Sequence, residues 1–279
     1  MFPPYSDYNF VSLWSYDTRS KSEFSILNNN LVIKYYDYIT LEPFYSFIGN
    51  NKPLETTNTL IDLSKKMGLS PCLKLVPKHN IEKDWDSMNK EYKIVEDRDN
   101  HDYIVSIKSL VELKGNKNYS HRNLVRRFAK GNPDHIVKRF SLKKDKLQAD
   151  IESLFRHWGK EKKSDEIENE FKALKRLIRA ARSGIDLEFL GIYLDKRLIG
   201  FSIDELLKNG YVISHFGKAD RSYTGIYKYI EHVNAKYFYA KGYKYINYEQ
   251  DLGIPGLKKT KELWHPIKYL EKYTIREKE

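Results

Sequence analysis

Three consecutive apolar runs between residues 187 and 219 restrict the fold of this chain more than any other feature of its sequence. They read LEFLGIYL, LIGFSIDELL and YVISHFGKA, and only short polar segments separate them. The first separating segment centres on Asp195 and Lys196, and the second contains Asn209-Gly210, a dipeptide that favours hairpin turns. Apolar runs joined by such turns predict three antiparallel strands that follow one another directly in a sheet.

Helical segments flank this predicted meander. Apolar residues recur at helical spacing in two segments before it, from Leu147 to Trp158 and from Ile167 to Ala181. A third helix is predicted from about Gly225 to Lys241, and the strand YKYINYE follows it. This element order is similar to that of a GNAT-type acyltransferase domain. By analogy of fold, we expect a cleft between two splayed strands.

The first half of the chain mixes helices and strands of its own. FSILNNNLVIKYYDYI predicts a hairpin that turns at Asn28, Asn29 and Asn30, and TTNTLIDLSKKMG predicts a short helix that ends at Gly68. This half is therefore a candidate for a diverged copy of the second. We predict a mixed α+β fold of two tandem GNAT-like acyltransferase domains, at residues 1–140 and 141–279.

Charge and composition narrow the choice of partner and compartment. The chain has 49 Lys and Arg against 38 Asp and Glu, a formal net charge of +11 that favours a polyanionic partner or reflects a composition rich in Lys, Asn and Tyr. No apolar run reaches the about 18 residues that span a bilayer. The N-terminus shows no signal peptide, and the single Cys72 cannot form an internal disulfide. We therefore expect a cytoplasmic protein.

The most specific stretch of the sequence reads HFGKADRSYTGIYKYI and then YKYINYEQDLGIPGLKKTKELWHPIKYLEKY. It resembles the C-terminal domain of lysyl-phosphatidylglycerol synthases and their soluble relatives. FPPYSDYNFVSLWSY, EDRDNHDYIV and LKGNKNYSHRNLVRRF resemble the same family, so the likeness spans nearly the whole chain. The resemblance implies transfer of an aminoacyl group from tRNA to an acceptor by two GNAT-like domains.

The sequence differs from related enzymes in two respects that affect the expected donor and acceptor. CoA-dependent GNAT enzymes hold pyrophosphate on a glycine-rich loop at a helix N-terminus, whereas the corresponding loop here, from Arg221 to Tyr227, has Gly225 alone among bulky residues. The synthases that modify phosphatidylglycerol carry an integral membrane domain that this sequence does not contain. We therefore expect aminoacyl-tRNA as co-substrate without a further cofactor, CoA being the alternative donor, and a soluble small-molecule or peptide acceptor.

The candidate catalytic residues are two carboxylates and one histidine. Glu249 and Asp251 follow the apolar strand YKYIN at i, i+2 spacing, where one can bind the aminoacyl ammonium and the other can accept a proton. The structural alternative is that either caps the turn at Gly253 or pairs with Lys258. His215 lies on the strand before the polar loop. It can act as a base or as a hydrogen-bond donor to an oxyanion, or it can be a structural histidine.

Candidate substrate-binding residues lie on both sides of these carboxylates. Lys258 and Lys261 share one face of a short helix that Pro255 can start, and they either hold a phosphate or carboxylate or belong to a solvated face. The remaining candidates, near the polar loop, are Lys218, Asp220, Tyr223 and Tyr227. The two tyrosines either donate hydrogen bonds or pack.

Positive charge clusters between Lys108 and Lys130, where seven basic residues accompany one acidic residue. On a helix starting near Ser120, Arg122 and Arg126 fall on one side and suit the phosphates of an RNA backbone, with Tyr119 or His121 available for stacking on an unpaired end. The candidate nucleic-acid-binding residues are Lys114, Lys117, His121, Arg122 and Arg126. The alternative is a solvated surface. No metal site is predicted.

The sequence therefore favours an aminoacyltransferase that moves an aminoacyl group from charged tRNA to an amine or hydroxyl. An acyl-CoA-dependent N-acyltransferase is the second hypothesis. A non-catalytic RNA-binding module on a degenerate acyltransferase fold is the third.

Overall fold

The computed structural model describes residues 2–19, 21–37, 40–142, 145–159 and 164–278. In these ranges the α-helices are α1 (Phe10–Tyr16), α2 (Pro53–Lys66), α3 (Lys78–Ile81), α4 (Trp85–Glu91), α5 (Ile107–Glu112), α6 (Tyr119–Gly131), α7 (Asp145–Gly159), α8 (Ser164–Arg182), α9 (Ile226–Ala240) and α10 (Pro255–Glu262). The strands are β1 (Glu23–Leu27), β2 (Asn30–Tyr36), β3 (Pro43–Ile48), β4 (Cys72–Pro77), β5 (Tyr92–Glu96), β6 (Asp102–Ser106), β7 (Ile136–Ser141), β8 (Glu188–Leu194), β9 (Arg197–Leu206), β10 (Tyr211–Ala219), β11 (Tyr245–Asn247), β12 (Lys268–Leu270) and β13 (Lys272–Glu277).

The chain divides into two compact units. The first comprises Met1–Tyr103, Gln250–Leu263 and Lys268–Glu279, and the second comprises Ile104–Glu249 and Trp264–Ile267. This division differs from the predicted boundary at residue 140. The reason is that β13, at the C-terminus, pairs with β4 and β5, whereas β7 pairs with β8. That the two halves of the chain are copies of one domain stays a prediction.

A mixed sheet forms the centre of the first unit. Its strand order is β1-β2-β3-β4-β13-β5, in which β3 and β4 run parallel. The predicted hairpin is confirmed: β1 and β2 pair across a turn at Asn28 and Asn29, both in the left-handed region that asparagine tolerates. The predicted helix α2 begins with Pro53 and ends before Gly68, and its Leu60 and Ile61 join the core beneath the sheet.

A buried ammonium group lies among carboxylates in the first unit. Lys272 is fully buried, and its Nζ donates to Asp102 Oδ1 at 2.8 Å and contacts Asp7 Oδ2. Burial lowers the pKa of Lys272, but the two carboxylates outweigh burial and raise it. Ser6 donates to the same Asp102 through both its backbone N–H and its hydroxyl. These contacts join the N-terminal segment, β6 and β13.

The second unit contains the predicted meander, which is confirmed. β8, β9 and β10 pair antiparallel in succession, and the sheet continues through β11 to Ile104–Ser106 of β6, with β7 beyond β8. Helix α9 packs closely on this sheet. A Cβ at Gly200 would lie 2.8 Å from Ile230 Cδ1 and 3.0 Å from Ile226 Cδ1, so a larger residue would require these side chains to shift.

Replacing Lys272 by methionine tests the buried cluster. Lys272→Met leaves Asp7 and Asp102 buried without their cation, which is expected to lower the free energy of unfolding by about 3–5 kcal/mol. Urea denaturation measures the change. The exposed Lys66→Met in α2 is the control and should stay within about 0.5 kcal/mol. Equal stability of the two variants would contradict the role given to Lys272.

Candidate active site

The candidate site of the second unit begins where two neighbouring strands part. β10 and β11 run parallel and pair only over Tyr211–Ile213 and Tyr245–Asn247. Beyond that point β11 ends, whereas β10 continues to Ala219 beside β9. We call the point where this pairing ends the fork, and that the two strands splay around a cleft there stays a prediction. Side chains just past the fork therefore have a sheet neighbour on one side only.

His215 lies at this fork and at an irregularity of β10. The register between β10 and β9 shifts between Ser214 and Phe216, so His215 is the extra residue of a bulge, a feature that redirects a side chain. Its ring is almost fully buried between two carboxylates. Nδ1 lies 3.2 Å from Glu249 Oε1, and Nε2 lies 3.2 Å from Glu205 Oε2.

Glu249 has an unusual backbone conformation. Its φ is +58°, in the left-handed region that residues other than glycine seldom adopt. The N–H of Glu249 donates to Asn247 Oδ1 at 2.7 Å, and Asn247 is itself fully buried at the end of β11. This turn directs the Glu249 carboxylate to His215. Strained backbone held by its surroundings is typical of functional sites.

The two carboxylates determine the protonation of His215. Burial alone lowers the pKa of the imidazole, but the hydrogen bonds with Glu205 and Glu249 outweigh burial and raise the pKa to about 9. At neutral pH His215 is therefore an imidazolium that donates through both nitrogens, and the cluster carries a net formal charge of −1. In this state His215 positions the two carboxylates. A catalytic role for His215 stays a prediction.

Glu205 is the member of the cluster that sequence reasoning missed. It follows Asp204 in β9, and this acidic pair interrupts the apolar run LIGFSIDELL, which was the available signal. The two side chains point to opposite faces of the strand. Asp204 is buried, which raises its pKa to about 6 although Ser202 donates a hydrogen bond to it. Glu205 faces His215.

Asp251 belongs to the first unit, and it caps the turn at Gly253, which is the structural alternative that the sequence also offered. It is completely buried, accepts a hydrogen bond from the Tyr103 hydroxyl, and caps the turn by accepting from the N–H of Gly253 at 2.9 Å. Burial and the bond to Asp251 raise the pKa of Tyr103 to about 12. Arg98 Nη1 lies 3.7 Å from the same carboxylate. Asp251 thus has protein partners on both oxygens.

Three of the stretches that carry the family resemblance contact one another in the first unit: the N-terminal one, the one around Asp99 and the one that contains Gln250. Ser6 Oγ lies 2.8 Å from Gln250 Oε1, and Gln250 Nε2 donates to Asp7 at 3.1 Å. The N–H of Leu252 donates to the carbonyl oxygen of Asp99 at 2.9 Å. Segments distant in sequence therefore fix the backbone that follows Glu249.

The two lysines predicted to bind substrate from α10, Lys258 and Lys261, have different environments. Lys261 is buried, and its Nζ donates to the carbonyl oxygen of Gln250 at 2.6 Å. Lys258 is half-buried on the same helix. Lys261 therefore stabilises the backbone of the preceding loop, so the proposed phosphate contact remains a prediction for Lys258.

Lys218 and Asp220 are both engaged by neighbouring side chains. Lys218 Nζ donates to Glu170 at 2.5 Å and lies 3.9 Å from the centre of the Trp158 ring. Asp220 is buried and accepts a hydrogen bond from Arg197 at 2.7 Å. These contacts order the end of β10 and the start of the following loop.

The loop before α9 is closed against another helix. Gly225 has a φ of +88°, and a Cβ on it would lie 2.2 Å from the carbonyl oxygen of Leu124 in α6. The Tyr227 hydroxyl donates to the carbonyl of Ala219 at 3.3 Å, and Tyr223 packs in the adjacent core. The start of α9, where a CoA enzyme would present a glycine-rich loop, is thus in contact with α6.

The basic segment is partly exposed and partly structural. Arg122 donates to the carbonyl oxygens of Leu113 and Gly115, the latter at 2.8 Å, so it supports the loop before α6. The exposed candidates are Lys114, Lys117 and Arg126.

The prediction that His121 belongs to a nucleic-acid interface is wrong. Its side chain is buried, with Nε2 at 3.5 Å from Glu231 Oε2. Burial and the nearby Lys228 ammonium lower the pKa of His121 to about 3. The ring is neutral and enclosed by protein, so it is not available to stack on a nucleotide.

Comparison with known proteins agrees with this architecture. A family model described as phosphatidylglycerol lysyltransferase, C-terminal, matches residues 4–276. Fold and family together place the chain among acyltransferases of the lysyl-phosphatidylglycerol synthase type. The chain belongs to the phosphatidylglycerol lysyltransferase C-terminal family, as its motifs suggested. Among curated proteins no sequence match was found.

Three solved structures resemble the chain. A conserved protein of unknown function from Bacteroides thetaiotaomicron is 26% identical, with a TM-score of 0.82 over 98% of this chain and 92% of that one. A C-terminal domain described as belonging to a lysylphosphatidylglycerol synthetase from Agrobacterium fabrum is 10% identical, with a TM-score of 0.64 over 94% and 85%. L-PGS from Bacillus licheniformis is 13% identical, with a TM-score of 0.64 over 96% and 87%. The predicted mixed α/β fold is confirmed.

No helix in the described ranges combines the length and the apolar character that crossing a membrane requires.

The protonation of His215 is directly measurable. Because its folded pKa of about 9 exceeds the unfolded value of about 6.5, the protonated cluster stabilises the fold fully below pH 6.5, and this stabilisation is lost as pH rises through 9. NMR titration of the histidine ring protons, assigned with His215→Gln, should show one resonance that titrates near pH 9. A His215 ring that titrates near pH 6.5 would contradict the proposed ion pairs.

Proposed function

We propose that the protein is an aminoacyltransferase that moves an aminoacyl group from charged tRNA to a soluble amine or hydroxyl acceptor. The observation that carries the proposal is the cluster of Glu205, His215 and Glu249 at the fork of β10 and β11. Its net formal charge of −1 favours a cationic ligand. An aminoacyl ester differs from other acyl donors by its α-ammonium group, which suits this site.

The chemistry needs few groups because the ester is already activated. The acceptor nitrogen or oxygen forms a bond to the ester carbonyl carbon, and the bond from that carbon to the ribose oxygen breaks. In our proposal Glu249 accepts the proton of the nucleophile and returns it to the leaving ribose oxygen. Glu205 binds the α-ammonium, and His215 holds both carboxylates in place. The remaining contribution is alignment of donor and acceptor.

The basic segment supports an RNA donor. Lys114, Lys117 and Arg126 are exposed within a stretch rich in positive charge, whereas Arg122 and His121 serve the fold. Exposed cations contact phosphates without reading sequence, which suits a donor recognised partly by its backbone. The family described for this chain supports an aminoacyl donor as well.

The contact between Gly225 and Leu124 disfavours the alternative donor, CoA. A carbonyl oxygen of α6 lies against the residue that precedes α9. A pyrophosphate in that position would meet a hydrogen-bond acceptor, and oxygen atoms repel one another there. Thermal shift assays with CoA and acetyl-CoA should accordingly show no stabilisation.

Turnover with charged tRNA tests the proposal. The protein is mixed with a panel of radiolabelled aminoacyl-tRNAs and a cell extract as the source of acceptors, and loss of ester is followed. At least one aminoacyl-tRNA should lose its label faster with the protein. Glu249→Gln should lower kcat/KM by about 10²–10⁴-fold, because a positioned proton acceptor contributes rates of that order. Binding of tRNA should be retained.

Glu168→Gln is the matched control, since Glu168 is an exposed carboxylate of α8 in the same unit. It should keep wild-type turnover. If no charged tRNA reacts faster with any extract, the proposal fails. Salt-sensitive tRNA binding without turnover would instead identify a non-catalytic RNA-binding module.

A further inference from the structure

A pocket of about 280 Å³ opens on the second unit beside α5 and the segment that joins α5 to α6. Its lining residues are Ser106, Lys108, Ser109, Glu112, Lys114, Lys117 and Asn118. This volume lies just below the about 300–1,000 Å³ of pockets that enclose drug-sized ligands. The pocket can therefore admit a small polar group.

The charge of the pocket favours an anion. Three ammonium groups and one carboxylate line it, for a net formal charge of +2. Lys114 forms an ion pair with Glu112 at 3.5 Å. In the part of the chain that the structure describes, Lys108 and Lys117 take part in no ion pair, and both are exposed. Two ammonium groups are thus available to a ligand.

Two hydroxyl groups add neutral donors. Ser106 Oγ accepts a hydrogen bond from the N–H of Ser109 at 3.4 Å, so its own hydroxyl hydrogen points elsewhere. Ser109 also lines the pocket. Ammonium and hydroxyl donors around one space match a phosphate group, whose several oxygens accept from different directions.

The backbone of the pocket is held by three side chains from outside it or at its edge. Arg122 binds the carbonyl oxygens on either side of Lys114. Asn118 Nδ2 donates to the carbonyl of Lys114 at 2.9 Å, and His265 Nε2 lies 2.9 Å from the carbonyl of Lys117. The lysine side chains therefore extend from a fixed backbone, which reduces the entropy lost when an anion binds.

We propose that this pocket binds a phosphate group of the donor RNA through Lys108, Lys117 and the two serines. Arg122 acts as a positioning residue that holds the loop. The exposed ring of Tyr119, which directly follows Asn118, offers a surface on which an adjoining base stacks. The RNA as carrier of the phosphate rests on the proposed function, whereas the preference for a phosphate group does not.

Lysine labelling tests the pocket independently of turnover. The full chain is treated with an amine-acylating reagent in inorganic phosphate or in chloride at equal ionic strength, and peptide masses give the rate at each lysine. Phosphate should slow labelling of Lys108 and Lys117 several-fold. Lys66 and Lys259, exposed in α2 and α10, should be unaffected. If Lys108 and Lys117 are labelled at the same rate in phosphate as in chloride, the proposal is overturned.

A second experiment identifies the source of the phosphate. Binding of an RNA hairpin with a single-stranded 3′ end is measured against salt concentration for the wild type, for the double variant K108Q/K117Q and for the charge-matched double variant K66Q/K259Q. Loss of the one phosphate contact made by the pocket should reduce the salt slope of K108Q/K117Q by about 0.7–0.9. The matched variant should keep the wild-type slope.

The outcomes separate the two proposals. If the wild type binds RNA and K108Q/K117Q keeps its full salt slope, the pocket does not hold an RNA phosphate, whereas the proposed function stands. If the wild type binds no RNA while inorganic phosphate protects Lys108 and Lys117, the proposed tRNA donor fails. The protection then supports the phosphate pocket and assigns it to a phosphorylated small molecule.

Discussion

The early end of β11 is the constraint on which the candidate site depends. Because β11 pairs with β10 over three residues only, the rest of β10 has one sheet neighbour and its other edge is not paired with β11. His215 extends from a bulge in this part of β10, and Glu249 meets it from a left-handed turn that Asn247 holds. Had the two strands continued in register, these side chains would pack as ordinary sheet residues.

Much of the architecture follows from patterns that are local in sequence. The meander, the Asn28–Asn29 hairpin and helix α2 each depend on apolar periodicity and a turn or cap residue within a few positions. The division into units could not be found this way, since it depends on β13 pairing with strands about 180 and 200 residues earlier. Non-local pairing leaves no short-range signal.

Contacts between residues distant in sequence also limited what could be predicted of the candidate site. His215 and Glu249 were found because each stands beside a strand end or loop in a specific motif, but Glu205 comes from a different strand and meets them only in the fold. Asp251, His121 and Arg122 were candidates because of their residue types and their positions after a strand or in a basic helical segment. Burial and hydrogen bonds to the backbone or to neighbouring side chains give them supporting roles, which depend on tertiary contacts that a sequence does not display.

The close approach of Leu124 to Gly225 also limits how this fold can diversify. Any side chain at position 225 would collide with the backbone of α6, so glycine cannot be replaced at this position unless the helix shifts. The basic segment is part of that helix and of the turn that leads into it. Mutations that alter one of these elements therefore act on the other. A change of donor in this lineage would require coordinated substitutions in both, which makes stepwise drift between donor classes difficult.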